Sequence, residues 1–244
     1  MIKFFRKIRQ KLLAENKFSK YLFYAVGEIV LVVIGILIAL QINNRNEARK
    51  DRNYETKMLT EISSSLKNDV VYFKEMIKTF DDLYDTSDYF MELSKKNEMY
   101  HDSLFGKVFD LNNDILYQFN SGPYEALKST GIDKISNDTL RNQITNLFDF
   151  DLPILGNNIE HITRNHQKNI ESMLELFGDR HIDDSRGRNF VGWVDVPEDL
   201  FQSQGFLQLL AGVSWRARNA GQQLKLALPG IEQTIENIDK EIKK

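Results

Sequence analysis

A block of apolar residues near the N-terminus is the strongest pattern in the chain. Residues 21–42 read YLFYAVGEIVLVVIGILIALQI, and Glu28 is their one charged side chain. About 20 helical residues, each rising 1.5 Å, span the roughly 30 Å hydrocarbon core of a bilayer. The pattern therefore predicts a transmembrane helix over residues 21–42.

The charges beside this block predict its orientation. Residues 1–20 carry seven Lys and Arg side chains against the single acid Glu15, and basic flanks favour the cytoplasmic side. We expect the N-terminus in the cytoplasm, the span in the inner (cytoplasmic) membrane, and the body outside the cytoplasm, in the periplasm. The asymmetry is incomplete, because basic residues also follow the span: Arg45, Arg49, Lys50 and Arg52. A cleaved signal peptide is the alternative, but the apolar stretch is long for one and no small-residue cleavage site follows it.

The basic segment 1–20 also has apolar residues at helical spacing. They are Ile2, Phe5, Ile8, Leu12 and Leu13. This pattern is typical of an amphipathic segment that lies on an anionic cytoplasmic leaflet. The plainer alternative is that its charges only set the topology of the span.

Glu28 is the residue in the span with a physical argument for a role. A carboxylate in hydrocarbon costs roughly 3 kcal/mol, so it is expected to be neutral, paired or covered by protein. Steps of four and three residues place Glu28, Val32, Gly35 and Ala39 on one helix face. Gly35 and Ala39 form a small-x-x-x-small pair, which lets helices approach closely. We expect helix association through this face, with Glu28 acting either as a structural hydrogen-bonding group or as a proton-linked carboxyl.

The segment that follows, 43–100, predicts a long helix that continues from the span. Neither glycine nor proline occurs between Gly35 and Gly106. Apolar residues recur every three or four positions, as on the buried face of a helix. They are Leu59, Ile62, Leu66, Val70, Phe73, Ile77, Phe80 and Tyr84. The helix is expected to end around residues 94–97, where polar side chains accumulate.

Residues 101–244 predict a helical bundle domain with an irregular segment at 180–200. Residues 103–119 suit one buried helix or two short pieces. Ser121, Gly122 and Pro123 begin a short helix that Gly131 ends. Ser136 is the expected cap of the next helix, and Pro153 is expected to break that helix.

Three further features complete the predicted bundle. A stripe from Leu155 through His166 to Phe177 indicates another helix. Within the irregular segment, 184–189 suits a turn and 190–196 an extended stretch. Helix returns over 203–243, interrupted or kinked at Pro229 and Gly230. The expected fold class is mainly α, with an N-terminal transmembrane helix continuing into a long helix and an extracytoplasmic α-helical bundle.

Composition narrows the chemistry that the body can perform. The 244 residues include no cysteine, which excludes disulfides, thiolate zinc sites and cysteine nucleophiles. Residues 43–244 hold 25 basic and 33 acidic side chains, so nucleic-acid binding is not expected. No cofactor-binding, metal-binding or catalytic motif occurs in the chain.

The histidines and acidic pairs do not form a recognisable site. His161 and His166 are five residues apart and therefore lie on different helix faces. His166 belongs to an apolar stripe, where a hydrogen-bonded core residue is the usual case. Neighbouring acids such as Asp81 and Asp82 diverge on a helix, while Asp183 and Asp184 suit a solvated turn or, less commonly, a cation site. We therefore expect no enzyme activity, cofactor or metal.

Two stretches resemble a known family. The head KFFRKIRQKLLAENKFSKYLFYAVGEIVLVVIGILIALQINNRNE, residues 3–47, and GPYEALKSTGIDKISNDTLRNQI, residues 122–144, are similar to the flavobacterial-type single-span membrane proteins of domain-of-unknown-function family 6090. Gly27 and Glu28 belong to the matching head, whereas Arg45 stands where the family pattern has tryptophan. The resemblance implies a single span and a helical outer domain, and it implies no activity.

Three classes of function remain open from the sequence. The first is a membrane-anchored scaffold or interaction protein whose helical body binds other envelope proteins. The second is a ligand-sensing bundle, and the third is an oligomeric proton- or ion-coupled membrane element that uses Glu28. The expected partners are the lipid bilayer and either further copies of the chain or other membrane and envelope proteins.

Overall fold

The computed structural model describes residues 18–113, 115–164 and 196–244, the helical positions 168, 171, 175 and 176, and the backbone of 180–183 and 190–193. Two compact units divide the chain, residues 1–56 and 57–244. The basic segment up to residue 17, His166 and the predicted turn at 184–189 lie outside the described residues. The predicted domain boundaries after residues 20, 42 and 100 stay predictions.

Helix α1, Phe18–Lys95, carries the apolar block and is the longest element. Its end at Lys95 falls within the range that the sequence predicts. In the first unit its large apolar side chains are exposed; Phe23 is 81% exposed and Ile29 64%. Within the part of the chain that the structure describes, α1 alone is long and apolar enough to cross a membrane. None of its most apolar stretch is buried.

In the second unit, α1 supplies a buried face with a seven-residue repeat. Ten positions of this face are at most 7% exposed: Leu59, Ile62, Leu66, Asp69, Phe73, Met76, Phe80, Leu83, Ser87 and Phe90. Their spacing alternates between three and four residues, which keeps a helix face turned towards its partner. Eight of the ten are apolar, while Asp69 and Ser87 are polar. Six of the eight predicted stripe residues are buried, whereas Ile77 and Tyr84 are only partly buried, because Met76 and Leu83 occupy the repeat there. The repeat runs on to Phe90.

The C-terminal helix α6, Gln204–Ile242, has a matching repeat. Its buried positions include Phe206, Leu210, Val213, Ala217, Ala220, Leu224, Ile231, Thr234, Ile238 and Glu241. Ser203 caps the helix, since its side chain accepts a hydrogen bond from the Phe206 N–H. Of the two predicted alternatives at Pro229, an interruption is wrong, because α6 runs through this residue, and a kink stays a prediction. A proline removes one backbone donor, and the packed face on either side holds the helix together.

Among the described residues, three ion pairs join α1 and α6. Lys67 pairs with Asp239 at 2.8 Å, Lys74 with Glu232 at 2.7 Å, and Asp81 with Lys225 at 2.7 Å. Each step moves seven residues forward along α1 and seven back along α6, so the two helices are antiparallel. We call these pairs the ion-pair ladder.

Short helices cover the remaining face of this pair. They are a 3₁₀ turn at Asp102–Leu104, α2 at Phe105–Asp110, α3 at Gly122–Thr130, a 3₁₀ turn at Ile132–Lys134, α4 at Asp138–Asn146, a π turn at Leu147–Asp151 and α5 at Leu152–Thr163. As predicted, α3 begins with Pro123 in its first turn and ends at Gly131. Of the described residues in 103–119, those up to Asp110 complete the first 3₁₀ turn and form α2, and 115–119 have no regular secondary structure.

Two sequence predictions in this region are corrected by the structure. The cap of α4 is Asn137 and not Ser136, because the Asn137 side chain accepts a hydrogen bond from the Leu140 N–H. Pro153 does not break the helix. The Leu152 N–H bonds to the Leu147 carbonyl, one residue further back than in an α-helix. This widened turn accommodates the proline ring.

The irregular segment contains a small hairpin. Strand β1, Arg180–Asp183, pairs antiparallel with β2, Phe190–Trp193. The extended stretch at 190–193 agrees with the sequence prediction, whereas the pattern gave no sign of β1. A 3₁₀ turn at Leu200–Gln202 then leads into α6.

An aromatic cluster closes one end of the second unit. Phe90, Phe201 and Phe206 are fully buried, with ring centroids 5.4–5.8 Å apart. Tyr100 adds an edge contact to Phe201 at 6.1 Å. Packed aromatic pairs of this kind stabilise a core beyond their buried area. The cluster ties the end of α1 to the start of α6.

Candidate functional site

The sequence-predicted association face lies on α1 within the first unit. Val32 is 57% exposed, Gly35 and Ala39 are exposed, and Glu28 is partly exposed. A Cβ atom placed at Gly35 would meet no atom within 4 Å. Glu28 and Val32 border a shallow depression of about 360 Å³ on this helix. Helical spacing brings the four residues onto one face, and their association with another helix stays a prediction.

The histidines and acids do not converge on a metal or catalytic centre among the described residues. His101 caps a 3₁₀ turn, because its Nδ1 accepts from the Ser103 N–H at 3.1 Å. His161 is exposed near the end of α5. Asp81 belongs to the ion-pair ladder, and no group of three His, Asp or Glu side chains comes together in this part of the chain. The side chains of His181 and Asp183 lie outside the described residues.

A buried carboxylate that the sequence analysis missed holds the chain between α2 and α3. Asp69 is 7% exposed, and both of its oxygens accept from the Asn120 N–H at 3.2 Å. Ser65, one turn earlier on α1, donates to the Asn120 carbonyl at 2.9 Å. Burial raises the pKa of Asp69, and the hydrogen bond from Asn120 partly opposes this rise. A polar residue in the apolar repeat of α1 is the signal that could have revealed it.

Tyr117 reinforces this junction from the other side. Its hydroxyl donates to the Leu152 carbonyl at 2.9 Å, and its ring stacks on Phe73 at 5.4 Å. Burial, with a smaller contribution from the charge of Asp69, raises the pKa of Tyr117 well above its ordinary value. A Cβ at Gly156 would lie 2.7 Å from the Tyr117 ring. Glycine at this position is what allows the ring to lie against α5.

The second family-like stretch, residues 122–144, holds α3 and α4 in the bundle. Tyr124 stacks on Phe148 with ring centroids 4.7 Å apart, and Lys128 pairs with Asp149 at 2.9 Å. Asn137 donates from its side chain to Glu241 of α6 at 2.7 Å. These contacts give the stretch a structural role in the fold.

An open groove of about 820 Å³ lies within the second unit. One wall consists of α4, the π turn and α5, and the other is α6 from Gln223 to Thr234. The π turn widens the first wall, and π turns are frequent at functional sites. On the second wall Pro229 removes a backbone donor, and a Cβ at Gly230 would meet no atom within 4 Å. We call this feature the amide groove.

Side-chain amides supply most of the polar groups in the amide groove. Gln143 is fixed, because it donates to Thr234 at 3.0 Å and accepts from Asn237 at 2.8 Å. The exposed amides of Asn142, Asn146 and Asn158 also line the groove. These three make no side-chain hydrogen bond to another described residue.

Apolar side chains complete the amide groove. Leu147, Leu152 and Ile231 are buried in its floor, whereas Ile154 and Leu226 are 54% and 66% exposed at its rim. Of the described residues that line it, Asp151 alone is charged. Sequence reasoning missed the groove, because its amides resemble the ordinary polar surface of α4 and α5. The proline of α6 was its visible signal.

Comparison with known proteins gives a family but no activity. No curated protein and no solved structure matches the chain significantly. One family model matches residues 28–174, more than half of the chain, and this match begins at Glu28 and includes the 122–144 stretch. The chain therefore belongs to the family of unknown function DUF6090.

Proposed function

We propose that this chain is a single-pass, membrane-anchored helical scaffold or interaction protein of the cell envelope, without catalytic activity. One observation carries the proposal: large apolar side chains are exposed in the first unit and buried in the second. Among the described residues, the buried apolar ones all lie between Met58 and Ile238, whereas the large aliphatic side chains from Leu22 to Ile42 are exposed. An exposed apolar helix of this length is stable in hydrocarbon and costly in water. A bilayer is the environment that covers it.

The charge pattern supports an N-terminus in the cytoplasm and a body in the periplasm. A phosphatase reporter that works only outside the cytoplasm, fused after Lys244, is expected to be active. In the matched control, the seven basic residues of 1–20 are replaced by glutamine, and reporter activity is expected to fall because the charge bias is lost. Activity of a cytoplasmic reporter at the same fusion point would refute the orientation.

Anchoring itself is tested by extracting membranes with alkaline carbonate. The full chain is expected to stay in the membrane fraction. Ile34→Lys combined with Leu37→Lys places two charges within the span and is expected to release the protein. Asn43→Lys combined with Asn46→Lys adds the same charge at the same spacing beyond the span, and retention is expected. Release of the unmodified chain by carbonate would exclude an integral anchor.

The partner that we propose within the membrane is another helix, from a second copy or from another envelope protein, packed on the face of Glu28, Val32, Gly35 and Ala39. Small residues allow close approach, and a neutral Glu28 can donate a hydrogen bond across the interface. Cross-linking in native membranes is expected to fall in Gly35→Ile. A Cβ at Gly27 would also meet no atom within 4 Å, but Gly27 lies on a different face, so Gly27→Ile is the matched control. Equal effects of the two changes would exclude this face as the interface.

Two substitutions of Glu28 distinguish a structural role of this residue from a proton-coupled one. Glu28→Gln keeps a hydrogen-bond donor and removes the titratable proton, whereas Glu28→Leu removes both. The scaffold proposal expects cross-linking to persist in the Gln variant and to weaken by about 1 kcal/mol in the Leu variant. A cellular defect in Glu28→Gln with unchanged cross-linking would instead favour a proton- or ion-coupled element.

A further inference from the structure

The amide groove has the features of a binding site. Its volume of about 820 Å³ lies within the range of ligand sites in proteins. One wall contains the π turn, and the other contains Pro229, which lacks the backbone N–H that a helix residue normally donates. Ala227 lies at a position where the repeat of α6 predicts a buried residue, yet it is only partly buried beside the groove. The bundle therefore leaves a gap in its own packing here.

The polar groups of the amide groove match a peptide backbone. Each asparagine side chain offers one carbonyl acceptor and an NH₂ donor, the same groups that a peptide unit presents. Asn142 and Asn146 are one helical turn apart, about 6 Å along the axis. Peptide groups that face the same side of an extended strand repeat about every 6.6 Å. The two amides are thus spaced to meet alternate peptide groups of an extended chain.

The apolar groups of the groove suit alternate side chains of the same strand. Ile154 and Leu226 expose apolar surface at the rim, above the buried floor, and the α6 wall from Gln223 to Thr234 extends for about 17 Å of helix. Five or six extended residues cover that length. Among the described residues that line the groove there is no cation to pair with an acidic ligand, and Asp151 would repel one.

We propose that the amide groove binds an extended, apolar-rich peptide segment of a partner protein, one that carries no acidic residue. The asparagines hold its backbone, and every second side chain packs over the floor between Ile154 and Leu226 of the rim. Every residue in this argument lies in the unit 57–244, so the proposal is independent of membrane anchoring and of the Glu28 face.

The test uses the purified full chain in detergent and surface-bound nonapeptides. The peptides are acetylated, and apolar residues alternate with Ser, Thr or Gln. Binding is expected to this set and to weaken at least tenfold when one residue is replaced by aspartate. N-methylation of alternate peptide nitrogens is expected to abolish it, because the backbone donors are lost. Absence of binding, or binding unaffected by N-methylation, would overturn the proposal.

Variants of the chain then locate the site, with the Kd of the tightest peptide as readout. Asn146→Ala and Asn158→Ala are each expected to weaken binding about fivefold, as loss of one hydrogen bond does. Asn157→Ala is the matched control, since Asn157 is also exposed on α5 but does not line the groove; less than a twofold change is expected. Equal losses at Asn157 and Asn158 would place binding elsewhere.

A filling substitution gives a second, independent check. Gly230→Phe projects a ring into the groove and is expected to weaken binding more than tenfold. Gly106→Phe is its control, because a Cβ at Gly106 is equally free of contacts and lies on α2, outside the groove. Circular dichroism verifies that both variants remain folded. Unchanged affinity in folded Gly230→Phe would refute the site.

Discussion

At the scale of single residues, the buried Asp69 carboxylate makes the stability of the second unit depend on pH. Burial raises its folded-state pKa above the usual value of 3.8. Its contribution to stability is therefore fully present below pH 3.8 and is lost as the pH rises through the folded-state pKa. Asp69→Asn keeps an acceptor for the Asn120 N–H and removes the ionisation, so the variant is expected to be more stable than the parent at pH 7.

Thermal unfolding at several pH values checks this expectation. The advantage of Asp69→Asn should shrink as the pH falls and vanish below about pH 3.8. Asp69→Ala, which leaves the Asn120 N–H without its acceptor, should lie about 1–3 kcal/mol below the Asn variant at pH 7. If the difference in stability between the parent and Asp69→Asn did not change with pH, the charge of Asp69 would not be what destabilises the parent.

Gly131 is the second residue whose chemistry the fold requires. Its φ is 125°, a backbone conformation that residues with a Cβ atom rarely adopt. A Cβ at this position would lie 2.6 Å from the Asp133 carboxylate. Gly131→Ala is expected to cost about 1–3 kcal/mol of unfolding free energy. Gly106→Ala, at a helical position with open space, should be neutral or stabilise by up to about 1 kcal/mol. Denaturant titration of the two variants measures both, and a Gly131→Ala protein as stable as the parent would contradict the strain argument.

At the scale of elements, the ion-pair ladder contributes more to the register between α1 and α6 than to the free energy of unfolding. Its pairs are exposed, and such pairs contribute about 0–1 kcal/mol each. Their signs differ along α1, with Lys67 and Lys74 followed by Asp81. A slip of seven residues in one direction would place Lys74 against Lys225, and in the other Asp81 against Glu232. The ladder therefore disfavours the register errors that a seven-residue repeat otherwise tolerates.

A double-mutant cycle on the central pair tests this interpretation. Lys74→Glu and Glu232→Lys should each lower stability through like-charge contact, and the double swap should recover most of the loss. The expected coupling energy is about 0.2–1 kcal/mol in low salt and smaller in high salt. Additive losses in the double variant would mean that the two side chains do not interact in solution.

The elements also show how far sequence patterns reach. The long apolar-faced α1, the start of α3 at Pro123 and its end at Gly131 followed from local rules of spacing and capping. The cap is Asn137 and not the predicted Ser136. Both residue types can cap a helix, and the sequence does not show at which of the two adjacent positions the helix begins. Pro153 did not end a helix, because the π turn before it accommodates the proline ring. That turn depends on tertiary packing, which the local pattern does not contain. The pattern did not predict strand β1.

The candidate sites also differ in how far the sequence alone predicts them. The face of Glu28, Val32, Gly35 and Ala39 follows from helical spacing alone. The amide groove does not, since it needs residues from α4, α5 and α6 brought together. Asp69 is intermediate: its place in the apolar repeat is visible in the sequence, but its partner Asn120 is 51 residues away. Contacts at that separation are set by tertiary packing.

At the scale of the whole molecule, the location of the core predicts that residues 57–244 fold without the apolar helix. Every buried apolar residue described lies between Met58 and Ile238. The isolated segment is expected to be soluble and to give a mainly helical circular dichroism spectrum with a cooperative thermal transition. A non-cooperative melt, or aggregation of the segment in the absence of detergent, would show that the first unit is needed for folding.

The paired repeats of α1 and α6 also constrain how the length of this protein can change in evolution. Inserting one residue between Met76 and Phe80 would rotate everything beyond it by about 100° and turn core side chains towards water. Inserting seven residues changes the facing direction by only about 20°, but it would leave α1 longer than its partner unless α6 gained seven as well. Relatives of different length should therefore differ by sevens, gained or lost together at positions that face each other across the two helices.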